Sequence, residues 1–482
     1  MKKTIESRAL SKLRTRVRGA VISPDDTYYD QARRVWNGRI DKYPALIVRC
    51  ADITDVLNAL EFARLQGLDV TVRSGGHSMA GLAVSDDGLV IDLSRTKSIW
   101  IDPVRRSAQV QAGLTLGEFV RQAQALGLAT TTGTVWGTGV GGLTLGGGIG
   151  WLMGKYGLTI DNLLSADLVT ADGQVLTASA NVNPDLFWGL RGGGGNFGVV
   201  TSFEFQLHPV GPVLCGKIAY PVARAGEVLH FYREFTSAAP DELTTYAAIL
   251  TTSRGLPVVA ISLCYCGPLS EGERLIAPLR KFGQPLADVI QVRPYHQAIS
   301  SDAGAPEGRH YYERASSFNA LSGEVIELIA EYGTIRTSPY SQVLIQHVHG
   351  AATRVSPTAT AFALRDVPYV MNMVAAWNPG ETGETERHMQ WVRMFQAAIQ
   401  PYAAKGVYSN FLGDEGEEQV RASYGVNYER LVALKNQYDP TNLFHLNQNI
   451  KPMVEENEQE TFPAPLMAMN SSSREARQIL VG

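Results

Sequence analysis

Cysteine is scarce in this 482-residue chain. Cys50, Cys215, Cys264 and Cys266 are too few and too irregularly spaced for a disulfide framework, and no CxxC pair suggests a metal. Cys264 and Cys266 alternate along the strand-like stretch AISLCYC and read as buried thiols. A reducing cytoplasm is the expected compartment. Charge of one sign is also lacking: the formal net charge is -4, which gives no electrostatic footprint for nucleic acid. No apolar run approaches the length of a membrane span. The opening stretch MKKTIESRALSKLRTRVRG is basic but has no apolar core behind its charges, so it is not expected to be a secretory signal. The hydrophobic share is 45% and the charged share 19%, as in a soluble globular protein. The length implies two domains, or one domain with a large insertion.

Glycine is what the chain has in abundance, and it is concentrated. Residues 130–150 read TTTGTVWGTGVGGLTLGGGIG. Glycine costs backbone entropy, so such a run belongs where φ is positive or where a backbone must approach something closely. Bare N–H groups in a tight loop suit the oxygens of a pyrophosphate. A flexible linker is disfavoured, because Val135, Trp136, Val140, Leu143, Leu145, Ile149 and Trp151 are interleaved with the glycines.

The chain before this cradle opens with a helix or loose arm. Residues 45–48 form a short apolar strand. Asp52 starts a helix with an apolar stripe through Val56, Leu60 and Ala63, Gly67 ends it, and residues 69–73 form a second strand. This β-α-β unit lacks GxGxxG after its first strand, so the usual Rossmann reading fails and an NAD-dependent enzyme is disfavoured. The second strand runs into Arg73-Ser74-Gly75-Gly76-His77-Ser78, with Gly81 following. Strands at 88–93 and 107–112 and a helix at 116–126 lead to the cradle. Beyond it, residues 163–179 read as a hairpin around Ala171-Asp172-Gly173. A third glycine cluster, Arg191 to Gly198, precedes a strand at 199–207. The glycine-rich character stops at His208-Pro209-Val210-Gly211-Pro212. The sequence then alternates strands with helices, a pattern of antiparallel sheet backed by helices. Residues 428–438 form an amphipathic helix stopped by Asp439-Pro440. Residues 454–482 read as a polar tail.

Three motifs now stand in order: RSGGHSMAG after a strand, GTGVGGLTLGGGIG, and YDPTNLFHLNQNI near the end. Together they resemble the berberine-bridge-enzyme-like branch of the vanillyl-alcohol-oxidase superfamily, in its bacterial 6-hydroxynicotine-oxidase-type form. The resemblance covers residues 43–207 and 408–450. It implies an α+β fold: a PCMH-type FAD-binding domain of two subdomains, with an inserted substrate domain of antiparallel sheet backed by helices. The expected division is an arm at 1–40, the first FAD-binding segment at 41–210, the substrate-binding domain at 211–404, the second FAD-binding segment at 405–453 and the tail at 454–482.

The resemblance also implies site residues. His77 would be bonded covalently to the flavin methyl. A second link from a cysteine, present in some relatives, is excluded, because Val135 stands at that position and Trp136 at the following proline. Arg73, Ser74, Gly75, Gly76, Ser78 and Gly81 would surround the pyrophosphate. Gly137, Thr138, Gly142 and Gly148 would line the flavin and its ribityl chain. Val199 or Val200 would meet the adenosine end, and Asn447 and Asn449 the polar edge of the ring system. In this family a valine-sized residue at the place of Thr138 favours oxidases, and a leucine there favours dehydrogenases.

The implied reaction is hydride transfer from an alcohol, sugar or amine carbon to FAD, with molecular oxygen then reduced to hydrogen peroxide. The partners are therefore a small-molecule substrate and oxygen, with no membrane or nucleic acid. Candidate bases are Tyr408, in a Tyr-x-Asn pattern, and Tyr369, His347 and His349. His347 and His349 alternate on one strand, but a metal there lacks carboxylate partners at useful spacing. Asn162 is a further polar candidate near the flavin. A dehydrogenase with another acceptor, or a non-catalytic flavin-binding protein, are the alternatives, and oxygen consumption separates the first of these from an oxidase.

Overall fold

The computed structural model describes residues 5–299 and 305–453. The tail expected at 454–482 lies outside the described residues.

Local chemistry sets the first unit. Asp52 caps the helix Ile53–Gln66, accepting from the Thr54 and Asp55 amides, and Gly67 closes it with φ 60°. Asp55 is fully buried and accepts from the backbone amides of Arg18, Gly19 and Ala51. That carboxylate ties the opening segment to the helix. The segment expected as an arm therefore contributes a strand, Ala20–Ile22, which pairs antiparallel with Leu46–Arg49. The first sheet has the order Ala20–Ile22, Leu46–Arg49, Leu89–Asp92, Val70–Arg73. Its last three strands are parallel, so Leu89–Asp92 lies between the two strands of the β-α-β unit.

The second sheet has five antiparallel strands, in the order Ile99–Asp102, Ser107–Gln111, Val199–Gln206, Leu163–Val169, Val175–Ser179. The edge strand Ile99–Asp102 is an addition to the sequence reading. Its alternation is hidden because its Trp100 is exposed. The hairpin around Asp172 forms as expected.

The third sheet has eight strands, and its pairings are all antiparallel. Side chains alternate across it. One face carries Ile249, Ile261, Ile345, Met371 and Met373 and is covered by the helices Ala225–Ser237, Gly323–Thr334 and Thr385–Ile399. The other face carries Tyr246, Cys264 and Val370 and packs on Ile149, Trp151, Phe362 and Tyr408. Trp151, at the end of the glycine cradle, stacks on Tyr246 at 4.3 Å. The large sheet is thus a roof above the cradle. A buried ion pair pins it there: Arg365 donates to both oxygens of Asp161 at 2.7 Å, and Asp161 also accepts from the Leu158 amide. Among the described residues, no helix is long and apolar enough to cross a membrane.

Candidate active site

The first two glycine motifs, 64 positions or so apart in the chain, are one object in space. A Cβ on Gly75 would lie 2.3 Å from the Gly139 nitrogen, and a Cβ on Gly139 would lie 2.2 Å from the Gly75 nitrogen. Bare backbone therefore rests on bare backbone, which no other residue type permits. The Ser74 hydroxyl serves as a strut here. It donates to the Ala112 carbonyl and accepts from the Gly141 amide. Arg73 is likewise committed within the protein, donating to the buried Asp92 carboxylate at 2.8 Å. Gly76 and Gly81 have φ 68° and 70°, and Ser78 accepts from the Leu82 amide, closing the loop.

These motifs help wall a cavity of about 330 Å³, to whose lining Trp36, Gly75, Gly76, His77, Val135 and Gly137 contribute. Arg34, Arg49 and Arg73 line it with Asp92 and Glu307, and Arg49 and Arg73 both pair with Asp92. His77 Nε2 lies 3.1 Å from where a Gly137 Cβ would stand. Burial holds the His77 imidazole down to about 4, so the ring is neutral at pH 7. Further along, the space in front of Gly142 is open to 4 Å, and Gly142 is exposed. Thr138 is half-buried, and its carbonyl accepts from the Leu116 amide.

Gly146, Gly147 and Gly148 complete the cradle. Gly147 and Gly148 have φ 126° and 82°. Their back is covered by Asn410, Phe362, Tyr408 and Thr159. Tyr408 is 2% exposed, and its hydroxyl oxygen accepts from the Gly148 amide at 3.0 Å and from Asn410 Nδ2 at 2.8 Å. Two N–H donors on one phenol oxygen favour its anionic form, although burial outweighs them and keeps the hydroxyl above its ordinary value.

The other candidate bases lie elsewhere. His347 and His349 stack at 4.7 Å, and His347 stacks on Tyr369 at 5.1 Å. The Tyr369 hydroxyl shares a hydrogen bond with Thr236 on a covering helix, so Tyr369 lies on the helix-backed face of the roof and not on the face over the cradle. Among the described residues, no hydrogen bond or ring contact joins this stack to Tyr408. Burial and the neighbouring His349 push His347 down to about 3. Asn162 has both ends of its amide engaged: it donates to the Tyr156 and Leu158 carbonyls and pairs with His208 Nε2 at 2.6 Å. It acts as a loop brace. Val199 and Val200 are buried in the apolar core of the second sheet.

The stacked histidines predict an acid sensitivity. Between pH 6.5 and about 3 the unfolded chain gains a proton on His347 that the folded chain refuses. Stability is therefore full above pH 6.5 and falls as pH drops through that window, by about 2 kcal/mol at pH 5 for this residue. Urea unfolding at pH 7 and pH 5 checks this, and a His347→Gln variant should show the shallower loss.

The C-terminal segment is held by a knot that the sequence reading did not find. Asn196, fully buried, donates to the Gly193 and Gln448 carbonyls and accepts from the Ile450 amide. Tyr424 also donates to the Gly193 carbonyl. The third glycine cluster is thus a seat for residues 447–450. Asn447 donates to the Gly195 and Phe444 carbonyls, which leaves its Oδ1 buried without a partner, and Asn449 Oδ1 is in the same condition. Unpartnered buried acceptors are costly, and a ligand N–H would relieve them.

The double glycine turn and the cavity beside a neutral histidine leave room for a ligand against bare backbone, and similarity to known proteins assigns its class. Residues 44–179 match the FAD binding domain model, and residues 407–451 match that for berberine and berberine-like proteins. The chain belongs to the berberine-bridge-enzyme-like family of FAD-linked oxidoreductases. It is 32% identical to (R)-6-hydroxynicotine oxidase of Paenarthrobacter nicotinovorans, over 92% of this chain and 99% of that one. It is 30% identical to xylooligosaccharide oxidase of Thermothelomyces thermophilus, over 90% and 92%. The crystal structure of 6-hydroxy-D-nicotine oxidase from Arthrobacter nicotinovorans is similar at a TM-score of 0.83 and 31% identity, covering 90% of this chain and 98% of that one.

Proposed function

We propose that this protein is an oxidase with its FAD bonded to a single residue, His77. It takes hydride from an alcohol, sugar or amine carbon and reduces dioxygen to hydrogen peroxide. One observation carries the reading: a neutral imidazole, held down to about 4, stands against Gly137 on the wall of the cavity. A neutral ring nitrogen offers the free lone pair that bond formation requires. Val135 stands where a second link would need a thiol, so one link is expected.

The residues present fit the cofactor. The bare backbone of the Gly75–Gly76 turn suits a pyrophosphate, the open face of Gly142 leaves room for a flat ring, and the unpartnered Oδ1 atoms of Asn447 and Asn449 suit a ring N–H. When bound, FAD supplies the hydride acceptor. The chain's own part is to orient the substrate under the sheet roof and to take its proton. Tyr408 is the base this reading selects, because the Gly148 and Asn410 N–H groups receive the charge that forms on its oxygen. Thr138, close to valine in size, supports oxygen as the acceptor. The cysteines are all free thiols, which supports a reducing compartment such as the cytoplasm.

Acid denaturation of the purified protein tests the link. The yellow colour is expected to stay with the precipitate, and in a His77→Ala variant to leave with the supernatant. Release from the wild type would overturn the covalent reading. Oxygen uptake with peroxide release, measured across alcohols, sugars and amines, tests the oxidase reading separately.

A further inference from the structure

His77 follows Gly75 and Gly76 in a turn, and such a residue needs something to fix its ring. Hydrogen bonds do not supply it: among the described residues, none reaches the imidazole. The Trp36 ring lies on it instead, with centroids 4.8 Å apart and planes 22° from parallel. The other face of Trp36 is covered by Tyr311, at 4.2 Å and 12°. The indole is therefore held between two rings and cannot swing away from the histidine.

The backbone around Trp36 is anchored on both sides. The Trp36 amide donates to the Gly76 carbonyl at 3.1 Å, and Asn37 Nδ2 donates to the Met79 carbonyl at 2.8 Å. The strap is thus bonded to the chain just before and just after His77. On its other side the Gly308 amide donates to the Trp36 carbonyl, the Gly38 amide to the Arg309 carbonyl and the Tyr311 amide to Asn37 Oδ1. Asn37 is fully buried. A strap from the opening segment therefore joins the histidine turn to the strand His310–Phe318 of the roof.

We propose that Trp36 is the positioning residue for flavin attachment, fixing the plane of the His77 ring by stacking alone. This rests on the covalent reading above. Stacking suits the task because it orients the ring without engaging either nitrogen. A hydrogen bond would occupy the lone pair or the N–H that attachment needs. Attachment forms one C–N bond between a His77 ring nitrogen and the flavin methyl carbon. The methyl loses one hydrogen and the imidazole loses its N–H hydrogen. Both leave as protons, and dioxygen takes them up together with the two electrons released on forming the C–N bond, leaving as hydrogen peroxide.

The test uses the full chain in wild-type, Trp36→Leu, Trp36→Phe and Tyr311→Leu forms. Each is freed of flavin by expression without riboflavin, then mixed with FAD, and acid-stable flavin is followed against total bound flavin. Melting temperature and non-covalent FAD binding are measured alongside. Trp36→Leu loses a residue of the cavity wall and is expected to bind FAD more weakly, yet once saturated with FAD to attach it about a hundredfold more slowly per bound flavin. Trp36→Phe, which keeps a flat ring, is expected to attach within a few-fold of the wild type. Tyr311→Leu, which leaves Trp36 without its backing ring, is expected to fall between, and it carries the test if Trp36→Leu does not fold. Wild-type attachment rates in both leucine variants would overturn the inference while leaving the His77 link intact. Equal slowing in Trp36→Phe and Trp36→Leu would also overturn it, since the flat ring would then be irrelevant. Acid-labile flavin in the wild type itself would overturn the covalent reading and the inference together.

Discussion

Tyr408→Phe is expected to lower kcat by about 10²–10⁴-fold while leaving KM nearly unchanged. The variant keeps the ring contacts with Phe362 and Phe411, so the fold beneath the glycine turn survives. What it removes is the oxygen that accepts from Gly148 and Asn410. The pH profile discriminates a base from a packed tyrosine. Burial keeps the Tyr408 hydroxyl above its ordinary value, so only a small fraction is ionised near neutrality. If Tyr408 takes the substrate proton, log kcat climbs with pH across the neutral and alkaline range. Asn410→Ala removes one of the two donors, raises the Tyr408 value further and displaces that climb to higher pH. Steady-state kinetics from pH 6 to 10 on the three proteins read both effects. A Tyr408→Phe enzyme with wild-type kcat would leave Tyr408 as a support for Gly147 and Gly148 and nothing more.

Elements with local causes were legible in the sequence. Asp52 and Gly67 bracket the helix Ile53–Gln66, and Asp439 stops Tyr428–Tyr438, because caps act within one turn. Glycine density located the cradle for the same reason: close backbone approach leaves a direct compositional mark. What it could not reveal was the partner of each approach. Gly75 and Gly139 rest on each other, and the third cluster seats residues 447–450, yet in the sequence all three are simply clusters of glycine. The insertion of Leu89–Asp92 between the two earlier strands was hidden because parallel order has no local signal. The hydrogen-bond partners of Asn162 and Tyr369 could not be read from sequence proximity or residue type. Their polar atoms are satisfied by His208 and Thr236, which are 46 and 133 positions away. Trp36 was missed because a lone tryptophan in an ordinary stretch carries no pattern at all.

The second large effect is expected far from the chemistry. Lys435→Met should destabilise the fold by about 3–5 kcal/mol. Lys435 and Asp439 are both wholly buried, 2.7 Å apart. The ammonium also donates to the Asn196 and Phe444 carbonyls, and the carboxylate also accepts from the Leu443 and Phe444 amides. Methionine fills the volume but leaves two carbonyls without a donor and a buried carboxylate without its cation. The cost arises from that stranded charge, so Lys435→Met combined with Asp439→Asn should recover part of the loss, and urea unfolding of the single and double variants measures it. Asn196 gives the knot a functional consequence. Its carbonyl receives Lys435, while its side chain holds the Gln448 carbonyl and the Ile450 amide on either side of Asn449. Loosening Lys435 therefore frees the residues that would meet the polar edge of the flavin. The variant should retain less FAD than its stability loss alone explains, measured at a urea-free temperature where both proteins are folded. A Lys435→Met protein that unfolds with the wild type would mean that the apolar packing of Leu431, Leu434 and Phe444 seats the segment without the ion pair.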